Sequence, residues 1–328
     1  MVYKVAVIGA GIIARSHLKA IHVMEELQAV SVADIDADKV RQLSDQYGIK
    51  AYRDYREMVE REKPNIVVIT LPHFLHKEAA VWCARQGCHL MLEKPMALNN
   101  RECNEIIEAA AANHIKLMVG HTQQYLSENI HAKKIIQEGA LGELVMIHDV
   151  RHSNYFSPSR PSWFFEKQKA GGGIFMNLGS HSIDKIQWFT DSKIVKVKAS
   201  VSYYGAIGDV EGSGIAFVET SSGVAATICQ SGYKGVERNE TEFIFSNGMM
   251  KLVAGQGLWI NGNGEYRPSD FDRTDNHFIL QFQDLLHSID SDTEPGCSGA
   301  YGKSVVSAVE ALYRSSAEGQ EIRVAESD

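Results

Sequence analysis

From Val5 to Val119, short apolar runs alternate with amphipathic stretches. This is the pattern of parallel strands joined by crossover helices. Val5–Ile8, Ala29–Ala33, Ile66–Ile69, His89–Leu92 and Lys116–Val119 predict buried strands, with helices such as Glu78–Gln86 and Glu102–Ala112 between them. After Gly120 the texture changes, because strand-like runs now follow one another: Leu144–Arg151, Ile194–Tyr203, Ser213–Glu219, Val224–Gln230 and Thr241–Phe245. Ser221-Ser222-Gly223 and Asn247-Gly248 lie between such runs and suit tight hairpins, since Gly and Asn accept positive φ. Phe278–Ile289 and Ser304–Ser316 predict closing helices, with Gly319 just past the second. The fold class is therefore α/β: a Rossmann-type parallel sheet over 1–121, then an α+β domain with a large, open, mainly antiparallel sheet over 122–328.

Bulk properties narrow the partners. The 328 residues suit two domains, and 44% hydrophobic with 23% charged residues is an ordinary globular balance. A net charge of -8 argues against general affinity for nucleic acid. No apolar run approaches the ~18 residues of a membrane span, so a soluble, cytoplasmic protein without membrane partners is expected. Cys83, Cys88, Cys103, Cys229 and Cys297 are odd in number and lack CxxC spacing, which reads as scattered thiols.

Three motifs carry chemistry. Gly9-Ala10-Gly11-Ile12-Ile13-Ala14 follows the first strand and leads into a helix. Gly9 permits the tight turn, Gly11 admits a pyrophosphate to the backbone, and Ala14 allows close packing; Gly9, Gly11, Ile12 and Ile13 would line the cofactor. The second strand ends in Asp34, whose carboxylate accepts from both ribose hydroxyls and repels a 2′-phosphate, favouring NAD over NADP. Asp36 adds negative field, with Lys39 and Arg41 nearby in sequence. Glu93-Lys94-Pro95 ends a later strand at the sheet edge where open α/β folds bind ligands, and this places Lys94 toward the nicotinamide. The run Gly171–Asp184 predicts a helix packing Phe175, Leu178, Ile186 and Phe189, with Asn177, His181, Asp184 and Trp188 on another stripe. No metal site is expected: an amide is a poor ligand and no second histidine falls at helical spacing.

On these motifs the chain resembles the Gfo/Idh/MocA family of sugar and cyclitol oxidoreductases over nearly its whole length. Leu71-Pro72-His73-Phe74-Leu75-His76 is similar to that family's loop after the fourth strand, and Tyr313–Gly319 to its closing helix. The resemblance implies cofactor contacts from Leu71, Pro72, His76, Glu93 and Lys94. It implies a catalytic pair in which His181 takes the hydroxyl proton while Lys94 polarises the reacting oxygen. Asn177 stands where the family's aspartate is familiar, and can orient a hydroxyl without adding charge. Gln123 and Gln124 stand where many relatives carry arginine. Gln123, Asn177 and His181 would face the substrate, together with Tyr155, Arg160 and Trp163, whose aromatic faces suit sugar C–H groups and whose guanidinium suits a carboxylate or phosphate. The implied reaction moves a hydride between NAD and a secondary alcohol of a sugar, sugar acid or cyclitol, in a homodimer or homotetramer. NAD-assisted glycosidic cleavage and a non-catalytic NAD sensor are the alternatives.

Overall fold

The computed structural model describes residues 1–324 apart from 206, 263 and 275, and divides into two units. The first comprises 1–122 and 276–303, the second 123–275 and 304 onward. In chain order the first unit begins with β1 (Tyr3–Ile8), α1 (Ile12–Val23), β2 (Leu27–Ala33), α2 (Ala37–Tyr47), β3 (Lys50–Tyr52) and α3 (Tyr55–Glu62). It continues with β4 (Ile66–Ile69), α4 (His76–Arg85), β5 (His89–Leu92), α5 (Asn100–Ala112) and β6 (Leu117–Val119). Its six strands lie in the order β3-β2-β1-β4-β5-β6, every pair parallel. This is the doubly wound order whose switch point lies between β1 and β4. All four residues of β4 are fully buried, as a strand covered on both faces requires.

The second unit opens with α6 (Ser127–Glu138), β7 (Leu144–His152), α7 (Lys167–Ala170) and α8 (Ser180–Phe189). Then follow β8 (Ile194–Ser202), β9 (Ser213–Thr220), β10 (Ala225–Ser231), β11 (Arg238–Phe245), β12 (Gly248–Val253), β13 (Gly257–Gly262) and β14 (Glu265–Ser269). The chain closes with α9 (His277–Ser291), α10 (Gly299–Glu318) and β15 (Ile322–Arg323). Among the described residues the second sheet runs β14-β13-β12-β11-β7-β10-β9-β8-β15. Its pairs are antiparallel except β7 with β10.

The structure departs from the sequence pattern in three ways. A contiguous second domain over 122–328 is not what forms, because 276–303 returns to the first unit. There Phe278 and Phe282 meet the His17 ring edge-on at 4.9 and 5.7 Å, Tyr3 Oη donates to Asp290 at 2.6 Å, and Val119 N donates to Cys297 O at 2.8 Å. β3, β12, β13, β14 and the two-residue β15 add to the expected strands. β3 has three residues, too few for a period, and β14 is mostly exposed and held by pairing with β13 rather than by an apolar face. Finally, Phe175–Gly179 winds as a π-turn before α8, which shifts the helical register. The expected polar stripe is consequently not an open face: Asn177 and Asp184 are buried, while His181 and Trp188 are half-exposed.

α8 is pinned to the sheet by a buried polar cluster. Asp149 on β7 accepts from Lys185 Nζ and from Thr241 Oγ1, each at 2.7 Å, and from Ser182 Oγ; Gln230 Nε2 donates to Ser182 Oγ at 2.8 Å. Burial by itself would raise the Asp149 pKa, but Lys185 and the two hydroxyls hold it below the usual carboxylate range. A group depressed on folding stabilises fully above its unfolded pKa of about 3.9, and that contribution fades as pH falls through the folded value. Asp149→Ala, which strands the Lys185 ammonium, is expected to cost about 3–5 kcal/mol at neutral pH in urea unfolding and to lose this part of the acid limb. A variant as stable as the parent would contradict the role given to the pair.

Candidate functional site

In the first unit the turn after β1 is built for close backbone approach. Gly9 has φ of 98°, and a Cβ there would lie 2.6 Å from Thr70 Oγ1 and 2.7 Å from Thr70 O, so only glycine fits. Gly11 caps α1 with no side-chain hydrogen bond, no acid lies in the first turn, and no atom comes within 4 Å of where its Cβ would stand. The first amides of a twelve-residue helix are therefore offered outward, the arrangement that receives a pyrophosphate. Ile12 is 88% exposed beside it. Asp34, at the end of β2, is held by Ala10 N at 2.7 Å and Asp36 N at 2.9 Å, one bond to each carboxylate oxygen, which leaves further acceptor capacity for ribose hydroxyls. Lys39 pairs with Asp36 at 2.9 Å, so the nearest basic side chain is drawn onto an acid of this chain. These residues fit NAD.

Glu93, at the C-terminal end of β5, is buried, and its carboxylate meets His17 Nε2 on α1 at 2.9 Å and accepts from Lys94 N at 3.2 Å. Burial opposes ionisation, yet His17 and Lys94 keep the Glu93 pKa below its ordinary value. Gly120 approaches so closely that a Cβ there would stand 3.1 Å from this carboxylate. Lys94, half-exposed, enters a cis peptide with Pro95. Leu71 and Pro72 are half-exposed after β4, whereas His76 is wholly buried, its Nδ1 2.9 Å from Pro95 O and its Nε2 2.8 Å from Leu71 O. His76 thus ties the two loops to each other rather than presenting its ring. His121 also lies buried beside this edge, its pKa pushed down to about 3 by burial and by the Lys94 charge.

In the second unit the glycine run lets the chain turn against α10. A Cβ on Gly172 would stand 2.1 Å from Tyr313 Oη, and one on Gly173 2.1 Å from Glu211 O. Glu211 accepts from Gly173 N at 2.7 Å, Phe175 N at 2.9 Å and Tyr313 Oη at 2.7 Å, anchoring the start of the π-turn. Asn177 and His181 stand one turn apart on this anchored segment. Gln123 is brought to His181, with Nε2 3.5 Å from Nδ1, and Asn129 fixes Gln123 by donating to its O at 2.8 Å and Oε1 at 3.2 Å. Tyr155 does not offer an open ring. It is wholly buried, packed edge-on to Phe156 and Phe165, with the Arg160 guanidinium 4.3 Å over its ring. Trp163, half-exposed, stacks on Phe164 at 3.7 Å. Among the described residues no group of three or more His, Cys, Asp or Glu side chains gathers as a metal site, and no helix is long and apolar enough to cross a membrane.

Two family profiles match: residues 3–121 as an oxidoreductase family with an NAD-binding Rossmann fold, and residues 130–251 as the GFO/IDH/MocA C-terminal domain. The chain belongs to the Gfo/Idh/MocA oxidoreductase family. It is 28% identical over 246 residues to inositol 2-dehydrogenase of Salmonella typhimurium, covering 71% of this chain and 70% of that one. It is 26% identical over 267 residues to 1-carboxy-3-chloro-3,4-dihydroxycyclohexa-1,5-diene dehydrogenase of Comamonas testosteroni, covering 81% and 63%. The crystal structure of aldose-aldose oxidoreductase from Caulobacter crescentus, complexed with glycerol, superposes with a TM-score of 0.90 at 25% identity, over 98% of this chain and 100% of that one. For two of the curated relatives the matched stretch is 41% and 63% of their own length.

Membership in this family accounts for the motifs found in the sequence. The supporting groups His17, Thr70, Asn129, Asp149 and Glu211 were not among them, because a buried polar side chain has no distinctive spacing and only its contacts reveal it. The Asp34 assignment is testable. Asp34→Ala is expected to weaken NADH binding about tenfold or more in a fluorescence titration, and to narrow the preference over NADPH. An unchanged NADH-to-NADPH ratio would remove Asp34 from the ribose site.

Proposed function

We propose that the protein is an NAD-dependent oxidoreductase acting on a secondary alcohol of a sugar, sugar acid or cyclitol. The observation that supports this reading is the rigid support given, each within its own unit, to Lys94 and to His181. Lys94 stands at the C-terminal edge of the Rossmann sheet beside the buried Glu93–His17 pair, and His181 stands on a helix pinned by Asp149 and Glu211. Such rigid support is what a group must have to act at fixed geometry.

NAD, when bound, supplies the hydride acceptor; Gly9, Gly11, Ile12, Ile13 and Asp34 hold its phosphates and adenosine ribose, and the Leu71–Pro72 loop and Glu93 flank the nicotinamide side. His181 accepts the hydroxyl proton, which raises electron density at the carbinol carbon. Lys94 stabilises the developing alkoxide as a positioned cation. Asn177 orients the hydroxyl through its amide, and Gln123 steadies the His181 ring. The dehydrogenases of inositol and of a carboxylated dihydroxycyclohexadiene among the relatives support a cyclic polyol as the substrate class.

A homodimer or homotetramer through the second sheet is also proposed. On the face opposite Asp149, Ile215 and Phe217 of β9 are 60% and 44% exposed and Met146 of β7, on the far side of β10, is 44% exposed, leaving apolar side chains on that face of the sheet. Light scattering on the purified chain would read the assembly directly, and a monomer would contradict it.

The catalytic assignment is tested by following the reduced-nicotinamide absorbance with NAD and a panel of sugars, sugar acids and inositols. The parent chain is expected to reduce NAD with at least one compound. Lys94→Ala should lose about a hundredfold or more in kcat while still binding NADH. Undiminished turnover in that variant would end the role given to Lys94.

A further inference from the structure

Two arginines of the second unit lie outside the motifs of the family. Arg151 is on β7, in register with Gln230 of β10 and Asn239 of β11, two residues beyond Asp149 and therefore on the same sheet face, the one α8 covers. Arg160 follows in the loop after β7. Its Nε donates to Tyr155 O at 2.9 Å, and its guanidinium lies 4.3 Å over the Tyr155 ring and 4.9 Å over the Phe164 ring. Both side chains are half-buried, and each lies within the electrostatic reach of the other.

Two buried carboxylates of this unit are already engaged. Asp149 is taken by Lys185, Ser182 and Thr241, and Glu211 by two backbone amides and Tyr313. Among the described residues neither Arg151 nor Arg160 is in an ion pair, and of Arg160's five N–H donors one has a hydrogen-bond partner. Arg151 feels the Asp149 charge, whereas Arg160 has no carboxylate within reach among the described residues, and a desolvated cation without a counter-charge is unfavourable unless a ligand supplies the anion. Burial pushes both guanidinium pKa values below the ordinary arginine value; at Arg151 the Asp149 charge opposes this and the Arg160 charge adds to it.

Their position relates them to chemistry rather than to folding. Arg160 covers the ring of Tyr155, whose buried hydroxyl makes no hydrogen bond among the described residues and has the Asn177 side chain as a polar neighbour. Asn177 stands one turn before His181. Arg151 is in register with Gln230, whose Nε2 donates at 2.8 Å to Ser182 beside His181, and Tyr155 and Ile174, at the start of the same segment, both lie against Gly232.

We propose that Arg151 and Arg160 bind a carboxylate of the substrate, so that the protein oxidises a sugar acid or carboxylated cyclitol in preference to a neutral polyol. The planar guanidinium fork matches a carboxylate with two parallel N–H···O bonds, and aromatic rings on its faces hold it in one plane. This rests on the reading of Asn177 and His181 as substrate-facing.

The test uses the full chain with D-glucuronate, D-gluconate, D-glucose and D-glucose 6-phosphate. NAD reduction is measured with each, and calorimetric binding of each to the NADH-loaded protein is measured separately. The acids are expected to exceed glucose about tenfold or more, in kcat/KM or in affinity. Arg160→Gln and Arg151→Gln should each bring that ratio toward one, with Arg160→Lys intermediate and NADH binding retained as the check that the chain is folded. Arginine-dependent binding of an acid without turnover would uphold the subsite and count against the oxidoreductase reading. Turnover of glucose equal to that of the acids, or acid binding indifferent to both substitutions, would overturn the subsite and leave the oxidoreductase reading intact. Tighter, arginine-dependent binding of the phosphate would overturn the carboxylate assignment.

Discussion

The carboxylate of Asp149 is the fixed point of the second unit. Buried on β7, it gathers Lys185 and Ser182 from α8 and Thr241 from β11, so the helix carrying His181 cannot slide on the sheet without stranding an ammonium ion. Such a cluster is weak evidence for added stability, since apolar packing could replace it at little cost. Its effect is on geometry: hydrogen bonds of defined direction select one helix position where apolar contact would allow several. Glu211 does the same at the start of the segment, where two amides and Tyr313 hold the π-turn in place.

The first unit uses the same device at its own functional edge. Glu93 and His17 join the end of β5 to α1, whose N-terminal amides are offered outward, and His76 joins the loop after β4 to the residue following Lys94. In both units, then, buried carboxylates and histidines are consumed in holding backbone and neighbouring side chains. The contrast gives the arginines their meaning. Where Asp149, Glu211 and Glu93 are each engaged by the protein, the Arg160 guanidinium, which has no ion pair among the described residues, is the group that the proposed substrate carboxylate would meet.

The fold was legible where the chain has a period. The five strands expected in the Rossmann half form within two residues of their expected ends, because a fully buried parallel strand must be continuously apolar. The glycine turn and the strand-end positions of Asp34 and Lys94 were legible because each directly follows or ends an apolar strand run. The return of α9 to the first unit was not, since Phe278 and Phe282 look like any apolar face and only the His17 ring they cover identifies their destination. The polar stripe expected on the helix of His181 is not an open face, because the segment begins with a π-turn and Asn177 and Asp184 are buried. The sequence offers Tyr155 as a ring for sugar C–H groups. The structure gives its face to Arg160, a contact that no spacing rule encodes.

The central claim is net transfer of a hydride between substrate and nicotinamide, and isotopic transfer tests it most directly. The purified protein would be incubated with NAD and a polyol acid deuterated at its carbinol carbons, and the recovered nicotinamide analysed by mass spectrometry. The account predicts that deuterium accumulates in the reduced nicotinamide in step with loss of substrate. Substrate consumed with no deuterium retained in the nicotinamide would contradict it, since that outcome belongs to transient oxidation in the service of bond cleavage.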